Sequence, residues 1–299
     1  MGFEKYGCSS VFSSEWDKDA QIMYEANFGE KPYGDITEID PNNIPNHDIL
    51  LGGFPCQPFS ILGKSLGFAD TRGTLFFNIE EILRVKQPYA VFLENVKRLK
   101  SHDQGQTLRI IISKLEDLGY HVHTKVLNAL DFGVPQKRER IFIIGFKENI
   151  RFQFPKPTGV YMPLSNLLER EEDIDPSLYA SSSIMANRIK KVKGSPVFPS
   201  IWHENKEGNV SALPFSCALR AGASYNYLLI NGVRRLSSRE MLRLQGFPES
   251  FKINVSYQAM RKLTGNSVAV PVIEAVAEQV VKAIQNRIIL PTEKQLSLV

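Results

Sequence analysis

Through the first half of the chain, short apolar runs alternate with segments whose apolar residues recur at helical spacing. That alternation restricts the possible fold more than any single residue does. Residues 11–15, 48–53, 89–94, 122–128 and 141–146 read as strands, several of them apolar at nearly every position. Strands of that kind are buried on both faces, as in a parallel sheet covered by helices. Between them, residues 20–28, 76–85 and 108–118 carry helical periodicity. Leu108, Ile111, Ile112, Leu115 and Leu118 form one stripe, which Gly119 closes at the helix C-terminus. Strand, helix and strand in repetition predict a doubly wound α/β domain, whose ligands bind at the carboxyl ends of the strands.

The pattern breaks near Phe154. From FPKPTG to about Ile230 the chain is irregular and rich in turn residues, and it is basic over residues 188–193. This predicts a smaller insert of loops and short strands. A helix is expected from Ser237, capped by Ser238 with Glu240 following. A last amphipathic helix over residues 270–284 is expected to pack back on the sheet. With 43% hydrophobic and 23% charged residues, the 299-residue chain has the composition of a soluble globular protein. No apolar stretch approaches the ~20 residues of a membrane span, and the N-terminus carries no signal-peptide pattern. Cys8, Cys56 and Cys217 are odd in number and widely spaced. That argues against a disulfide framework or a zinc cluster and for a reducing cytoplasm. A net charge of +4 tilts only mildly toward anionic partners.

The stretch GGFPCQPFS, residues 52–60, sets Cys56 just beyond a strand end, with Pro55 before it and Pro58 after it. The prolines stiffen the backbone, while Gly52, Gly53, Gly63, Gly67 and Gly73 leave the surrounding loop adaptable. A thiol at the ligand edge of the sheet can act as a nucleophile. Glu94 closes the next expected strand and faces the same crevice, where desolvation favours the protonated acid. Arg138 and Arg140 alternate onto one face before another strand. Taken singly, these residues have plainer readings: a small buried hydrophobe, a capping carboxylate, a solvated charge run. Together they make a site for a polar heterocycle. In nucleotide-binding α/β folds an acid at a strand end, here Glu15, bonds ribose hydroxyls, and an aromatic such as Trp16 can stack on adenine. The glycine-rich turn that normally lies ~20 residues before that acid is absent, since only fourteen residues precede Glu15.

The ordered blocks SSEWDK, GDIT, GGFPCQPFS with GKSLGFADTRGTLFF, FLENV, QKRERIF, RRLSSRE with LQGFP, and GNSVAVPV resemble those of the bacterial DNA (cytosine-5)-methyltransferases. They span the chain except for the insert. The resemblance implies a Rossmann-like methyltransferase sheet with a smaller, loop-rich target-recognition domain. It divides the chain into a catalytic and cofactor domain (1–155), a target-recognition domain with hinge (156–262), and a C-terminal helix packing back (263–299). It implies transfer of a methyl group from S-adenosylmethionine, without a metal, to C5 of a cytosine flipped out of double-stranded DNA. The setting would be a bacterial restriction-modification system.

Residue by residue, the resemblance makes Cys56 the nucleophile that adds to C6. Glu94 would hold N3 and the exocyclic amine, and Arg140 would contact O2 with Arg138 bracing it. Glu15 and Trp16 would take the ribose and adenine of the cofactor. Asp35 and Ile36 would meet the adenine edge, Pro55 and Leu75 would line the pocket, and Asn266, Ser267 and Val268 would close the methionine side. Lys64 and Arg72 are candidate phosphate contacts. Arg220, Tyr225, Asn226 and Tyr227 are candidate groove contacts, or else parts of a structural hairpin.

The family opens with a strand and a Phe-x-Gly-x-Gly turn that do not occur here. The expectation is therefore a sheet without its first strand, and weak cofactor binding and little turnover by the chain alone. A start codon assigned too late, a second polypeptide supplying strand and turn, or a decayed copy would each account for it. Two other readings compete with the enzyme: a noncatalytic DNA-binding remnant or subunit, and an RNA methylase of the same fold.

Overall fold

A computed structural model describes residues 1–55 and 74–290, Thr74 without its side chain. Along the chain come α1 (Lys18–Phe28), β1 (Ile49–Gly53), α2 (Thr74–Lys86), β2 (Ala90–Val96), α3 (Gln106–Asp117), β3 (His121–Asn128), β4 (Gln136–Lys137) and β5 (Glu139–Phe146). They are followed by α4 (Ser182–Lys191), β6 (Ile201–Glu204), β7 (Val210–Leu213), β8 (Ser216–Cys217), β9 (Leu228–Ile230), α5 (Ser238–Leu244), α6 (Tyr257–Asn266) and α7 (Val270–Asn286).

The main sheet has the order β1-β2-β5-β3, and its central strands are apolar throughout because both faces are covered. Ala90, Phe92, Phe142, Ile144 and Phe146 face one core with Val272, Val276, Ala277 and Val280 of α7. Val91, Leu93, Ile141 and Ile143, offset by one residue, face the other core with Ile79 and Leu83 of α2 and Ile111 and Leu115 of α3. The period-2 alternation of the strands thus feeds two helical layers, each presenting residues at i, i+4 spacing.

Three expectations need correction. The sheet is mixed rather than parallel: β1 and β2 run parallel, but β5 is antiparallel to both β2 and β3. The connection from β3 to β5 is only residues 129–138, too short for a crossover, so the chain must return antiparallel. Residues 11–15 form no strand of this sheet. Only Ser14 bridges Tyr33, in parallel, which brings residues 13–15 beside Gly34. The helix from Ser238 is capped by Ser237, in a reciprocal box with Glu240, one residue before the expected cap. Among the described residues β1 has β2 as its sole partner strand.

A third core gathers Leu164, Ile201, Leu219, Leu228, Ile230, Met241, Leu244 and Met260, with Met23 of α1. The basic run in this region is partly neutralised inside the protein. Arg188 is buried, and it and Lys191 both pair with Glu204. Among the described residues, no helix is long and apolar enough to cross a membrane.

Candidate active site

β1 and β2 end side by side. Gly53 pairs with Glu94 in the ladder, and a Cβ on Gly53 would stand 3.9 Å from Oε2 of Glu94. Beyond Gly53 the chain leaves through Phe54 and Pro55 toward Cys56. Cys56 lies outside the described residues, as do Lys64 and Arg72. Buried Asn95 donates its Nδ2 to the Phe54 carbonyl at 2.7 Å, and its Oδ1 accepts the Val96 N–H at 2.8 Å. The backbone leading to Cys56 is thereby fastened to the residue next to Glu94.

Glu94 Oε1 sits 2.9 Å from Arg140 Nε, with both side chains largely out of solvent. Burial raises the Glu94 pKa, and the neighbouring Arg140 and Arg138 charges oppose that rise without cancelling it. Burial also pulls the Arg140 and Arg138 guanidiniums below their ordinary range, with Glu94 acting against the fall. The result is a carboxyl group biased toward holding a proton, next to a desolvated cation. That pair suits a substrate with a ring nitrogen to be protonated and a carbonyl oxygen beside it.

Arg138 turns away from this pair and spends its donors on main chain. Its Nη1 donates to the Leu219 carbonyl at 3.0 Å, and its Nη2 to the carbonyls of Gly265, at 3.2 Å, and Ser267. Gln136 works beside it: Oε1 accepts the Leu219 N–H at 2.9 Å, and Nε2 donates to the Leu244 carbonyl at 2.8 Å. Gln245 continues the network to the Thr264 carbonyl at 2.7 Å. A residue of the third core, Leu219, therefore has its N–H held by Gln136 of β4 and its carbonyl by Arg138 just after β4. Gly265 lets the segments touch. A Cβ there would fall 2.1 Å from the Ala221 nitrogen and 2.6 Å from the Arg220 carbonyl carbon.

A second corner forms where residues 13–15 lie along 33–34. Ser14 Oγ donates to the Gly34 carbonyl at 2.6 Å, which sets Glu15 and Trp16 close to Asp35 and Ile36. Glu15 accepts the Asp17 N–H at 2.8 Å, and Asp35 accepts that of Thr37 at 2.9 Å. Trp16 is 70% exposed. Ile36 and Leu75 pack against the same core as Phe54, and Pro55 is exposed at the strand exit. On α6, Lys262 pairs with Asp17 and holds its Nζ 5.8 Å from the Trp16 ring centre. The same helix ends at Asn266, which is exposed, with Ser267 and Val268 partly buried after it.

A model of the C-5 cytosine-specific DNA methylases matches residues 1–282. The chain belongs to that family. Its reaction is methylation of DNA at C5 of cytosine, and methylases of this family draw the methyl group from S-adenosylmethionine. Type II methyltransferase M.NgoBI of Neisseria gonorrhoeae is 66% identical over 275 residues, spanning 92% of this chain and 87% of that protein. Type II methyltransferase M.HaeII of Haemophilus aegyptius is 61% identical, spanning 95% and 89%. Among solved structures, a Spodoptera frugiperda DNMT2 mutant superposes with a TM-score of 0.73 at 21% identity, covering 93% of this chain and 94% of that one. A putative DNA modification methyltransferase from an Escherichia coli prophage gives 0.70 at 18%, covering 95% of each. At those identities the likeness is one of fold.

In the methylase the residues expected at the groove divide into two groups. Arg220 and Tyr225 are exposed, whereas Tyr227 is buried and its hydroxyl accepts the Arg220 N–H at 3.0 Å. Asn226 is committed to the protein: Arg235 Nη1 donates to its Oδ1 at 3.0 Å, and Arg188 Nη2 to its carbonyl at 2.6 Å. Sequence reasoning gave no role to Asn95, Gln136, Gln245 or Lys262. A second polar residue, directly after Glu94 at the end of an apolar strand, as Asn95 is, was the available signal. The partners of the other three are remote in sequence and left none.

Proposed function

We propose that this methylase modifies a cytosine swung out of a specific duplex sequence, as the protective half of a type II restriction-modification system. Two relatives that carry the type II name align over most of their length, which supports that setting. The observation that carries the chemistry is the junction of β1 and β2. There the Glu94–Arg140 pair stands beside the strand exit that leads within three residues of Gly53 to Cys56.

In this reading Cys56 adds as thiolate to C6 of the cytosine. Glu94, with its raised pKa, supplies a proton at N3 as the ring loses aromaticity. Arg140 holds O2. Addition makes C5 nucleophilic, and loss of its proton after methylation expels the thiolate. Arg138 touches no substrate atom and fixes the recognition segment against the pocket wall. Flipping the base costs a few kcal/mol of unstacking, offset by contacts in the pocket.

The exposed Trp16 ring beside the Glu15 carboxylate fits an adenosine. Asp35, Ile36, Pro55 and Leu75 would complete that side, with Asn266, Ser267 and Val268 at the other end. S-Adenosylmethionine, when bound, supplies an electrophilic methyl group. Lys64 and Arg72 would contact phosphates. Residues 1–155 would form the catalytic and cofactor domain, 156–262 the target-recognition domain and hinge, and 263–299 the returning C-terminal segment. The edge of β1 that has no partner strand among the described residues would accept a strand carrying a glycine turn, from a second polypeptide among other sources.

The test is product identification. Duplex DNA is incubated with the protein and methyl-labelled S-adenosylmethionine, then digested to nucleosides. Label is expected in 5-methyldeoxycytidine alone. Label in N4-methylcytosine or N6-methyladenine would overturn the reading.

A further inference from the structure

One arginine of the recognition segment differs from its neighbours in what its guanidinium does. Between β8 and β9 the chain runs RAGASYNY, residues 220–227. Three arginines and three tyrosines converge around it: Arg220, Arg235, Arg261, Tyr225, Tyr227 and Tyr257. Arg235 and Arg261 lie over the Tyr225 ring, at 4.6 and 4.3 Å from its centre. Both also donate to the protein. Arg261 Nη2 bonds the carbonyls of Ala223, at 3.1 Å, and Ser224, at 3.0 Å. Arg235 bonds Asn226 Oδ1 and the Ser177 carbonyl. These two arginines brace the loop.

Arg220 is held just as firmly by its backbone, while its guanidinium has no hydrogen-bond or ion-pair partner among the described residues. The preceding Leu219 peptide is fixed by Gln136 and Arg138. The Arg220 N–H is donated to Tyr227, and the Arg220–Ala221 peptide lies directly on Gly265. Its guanidinium stands over the buried Tyr227 ring, 4.9 Å from the centre. The side chain is exposed and its neighbours, Ala221, Gly222 and Ala223, are small.

We infer that Arg220 reads a guanine in the recognition sequence, presenting a pre-oriented pair of donors to O6 and N7 in the major groove. The inference rests on the methylase reading above. The Tyr227 ring beneath it and the fastened backbone restrict where the guanidinium can go, and a restricted planar fork suits bidentate recognition. The slim flanking residues let the backbone approach base edges, which a contact to a phosphate at the duplex surface does not require. Arg138 bonds Leu219, the residue before Arg220, and lies two positions before Arg140, which contacts Glu94, so the segment carrying Arg220 is tied to the chain that carries the Glu94–Arg140 pair.

The test is selection by binding, which needs no turnover. The full chain is mixed with a pool of duplexes randomised around one cytosine, and the bound fraction is sequenced for the parent, Arg220→Ala, Arg220→Lys and Arg220→Gln. Thermal melts of all four confirm that they fold. The parent should enrich a motif containing at least one guanine. Arg220→Ala should lose preference at one guanine position by about 10- to 100-fold and keep the others. Arg220→Lys should fall between, and Arg220→Gln should shift that position toward adenine. If Arg220→Ala keeps the parent motif and weakens every duplex alike, with a shallower salt dependence, the residue grips a phosphate and the inference fails. If the parent itself enriches no motif, the proposed selectivity for a specific duplex sequence fails in this chain and the inference falls with it.

Discussion

Gly265→Ala sets two effects of known size against each other. Gly265 lies in α6 with no left-handed φ, so alanine fits the backbone and should gain about 1 kcal/mol of helix propensity. Against this, the new methyl would stand 2.1 Å from the Ala221 nitrogen and 2.6 Å from the Arg220 carbonyl carbon. Both are backbone atoms, and an ordinary contact needs more than 3 Å. Relief therefore requires the 220–221 segment to move by roughly 1 Å, yet that segment is tied through Leu219 to Gln136 and Arg138. Overpacking of this kind costs about 1–3 kcal/mol, and stretching the bonds at Leu219 adds more. The net expected loss is about 1–3 kcal/mol, read from urea unfolding midpoints at unchanged slope. DNA selectivity should suffer as well, because the displaced segment carries Arg220. Gly222→Ala is the control: that glycine is exposed with open space around its missing Cβ, and the change should stay within about 0.5 kcal/mol. A Gly265→Ala protein as stable as its parent would refute the reasoning, since propensity would then have won over the clash.

Glu94→Gln keeps the shape of the side chain but removes its proton supply, and should slow methyl transfer by ~10²-fold or more. Because burial raises the Glu94 pKa, the protonated acid predominates below that value and is lost as pH rises through it. The parent rate should therefore fall on that alkaline limb, and the limb should vanish in Glu94→Gln; a small loss that is uniform across pH would make Glu94 structural. A peptide carrying a strand and a Phe-x-Gly-x-Gly turn, added to pair with the β1 edge that no described strand covers, should tighten S-adenosylmethionine binding and raise the melting temperature. Equally tight binding without the peptide would show that the edge needs no such strand.

The strands of the central sheet could be read from sequence because both faces are buried, so 89–94 and 141–146 stand out as apolar runs, matching β2 and β5 within a few residues. Their direction could not be read, since apolar periodicity carries no sign; the short 129–138 connection did. Residues 11–15 were also expected to form a strand, but only the bridge at Ser14 forms. The Glu94–Arg140 pair was legible because each residue closes or opens an apolar run, so both fall at one edge of the sheet. The fastening of the segment around Leu219 was not legible. Gln136 meets Leu219 across 83 positions and Gln245 across 109, and Gly265 is a glycine because of a backbone more than forty residues away. Nothing local to those residues encodes the meeting. For Tyr227 the structure favours the hairpin reading over the groove contact, because it is buried with its neighbour Leu228 in the third core.

The central claim is that Cys56 attacks cytosine covalently while Glu94 and Arg140 hold the ring. It is tested most directly with duplexes bearing 5-fluorocytosine at the target position, mixed with the protein and S-adenosylmethionine, with and without the strand-and-turn peptide. Fluorine cannot leave as a proton does, so addition should be followed by arrest. The account expects a denaturation-resistant protein–DNA adduct, mapped by peptide mass to Cys56, and none with Cys56→Ser, whose binding to unmodified duplex should remain largely intact. An adduct mapped to another residue, normal turnover by Cys56→Ser, or no adduct under either condition would contradict it.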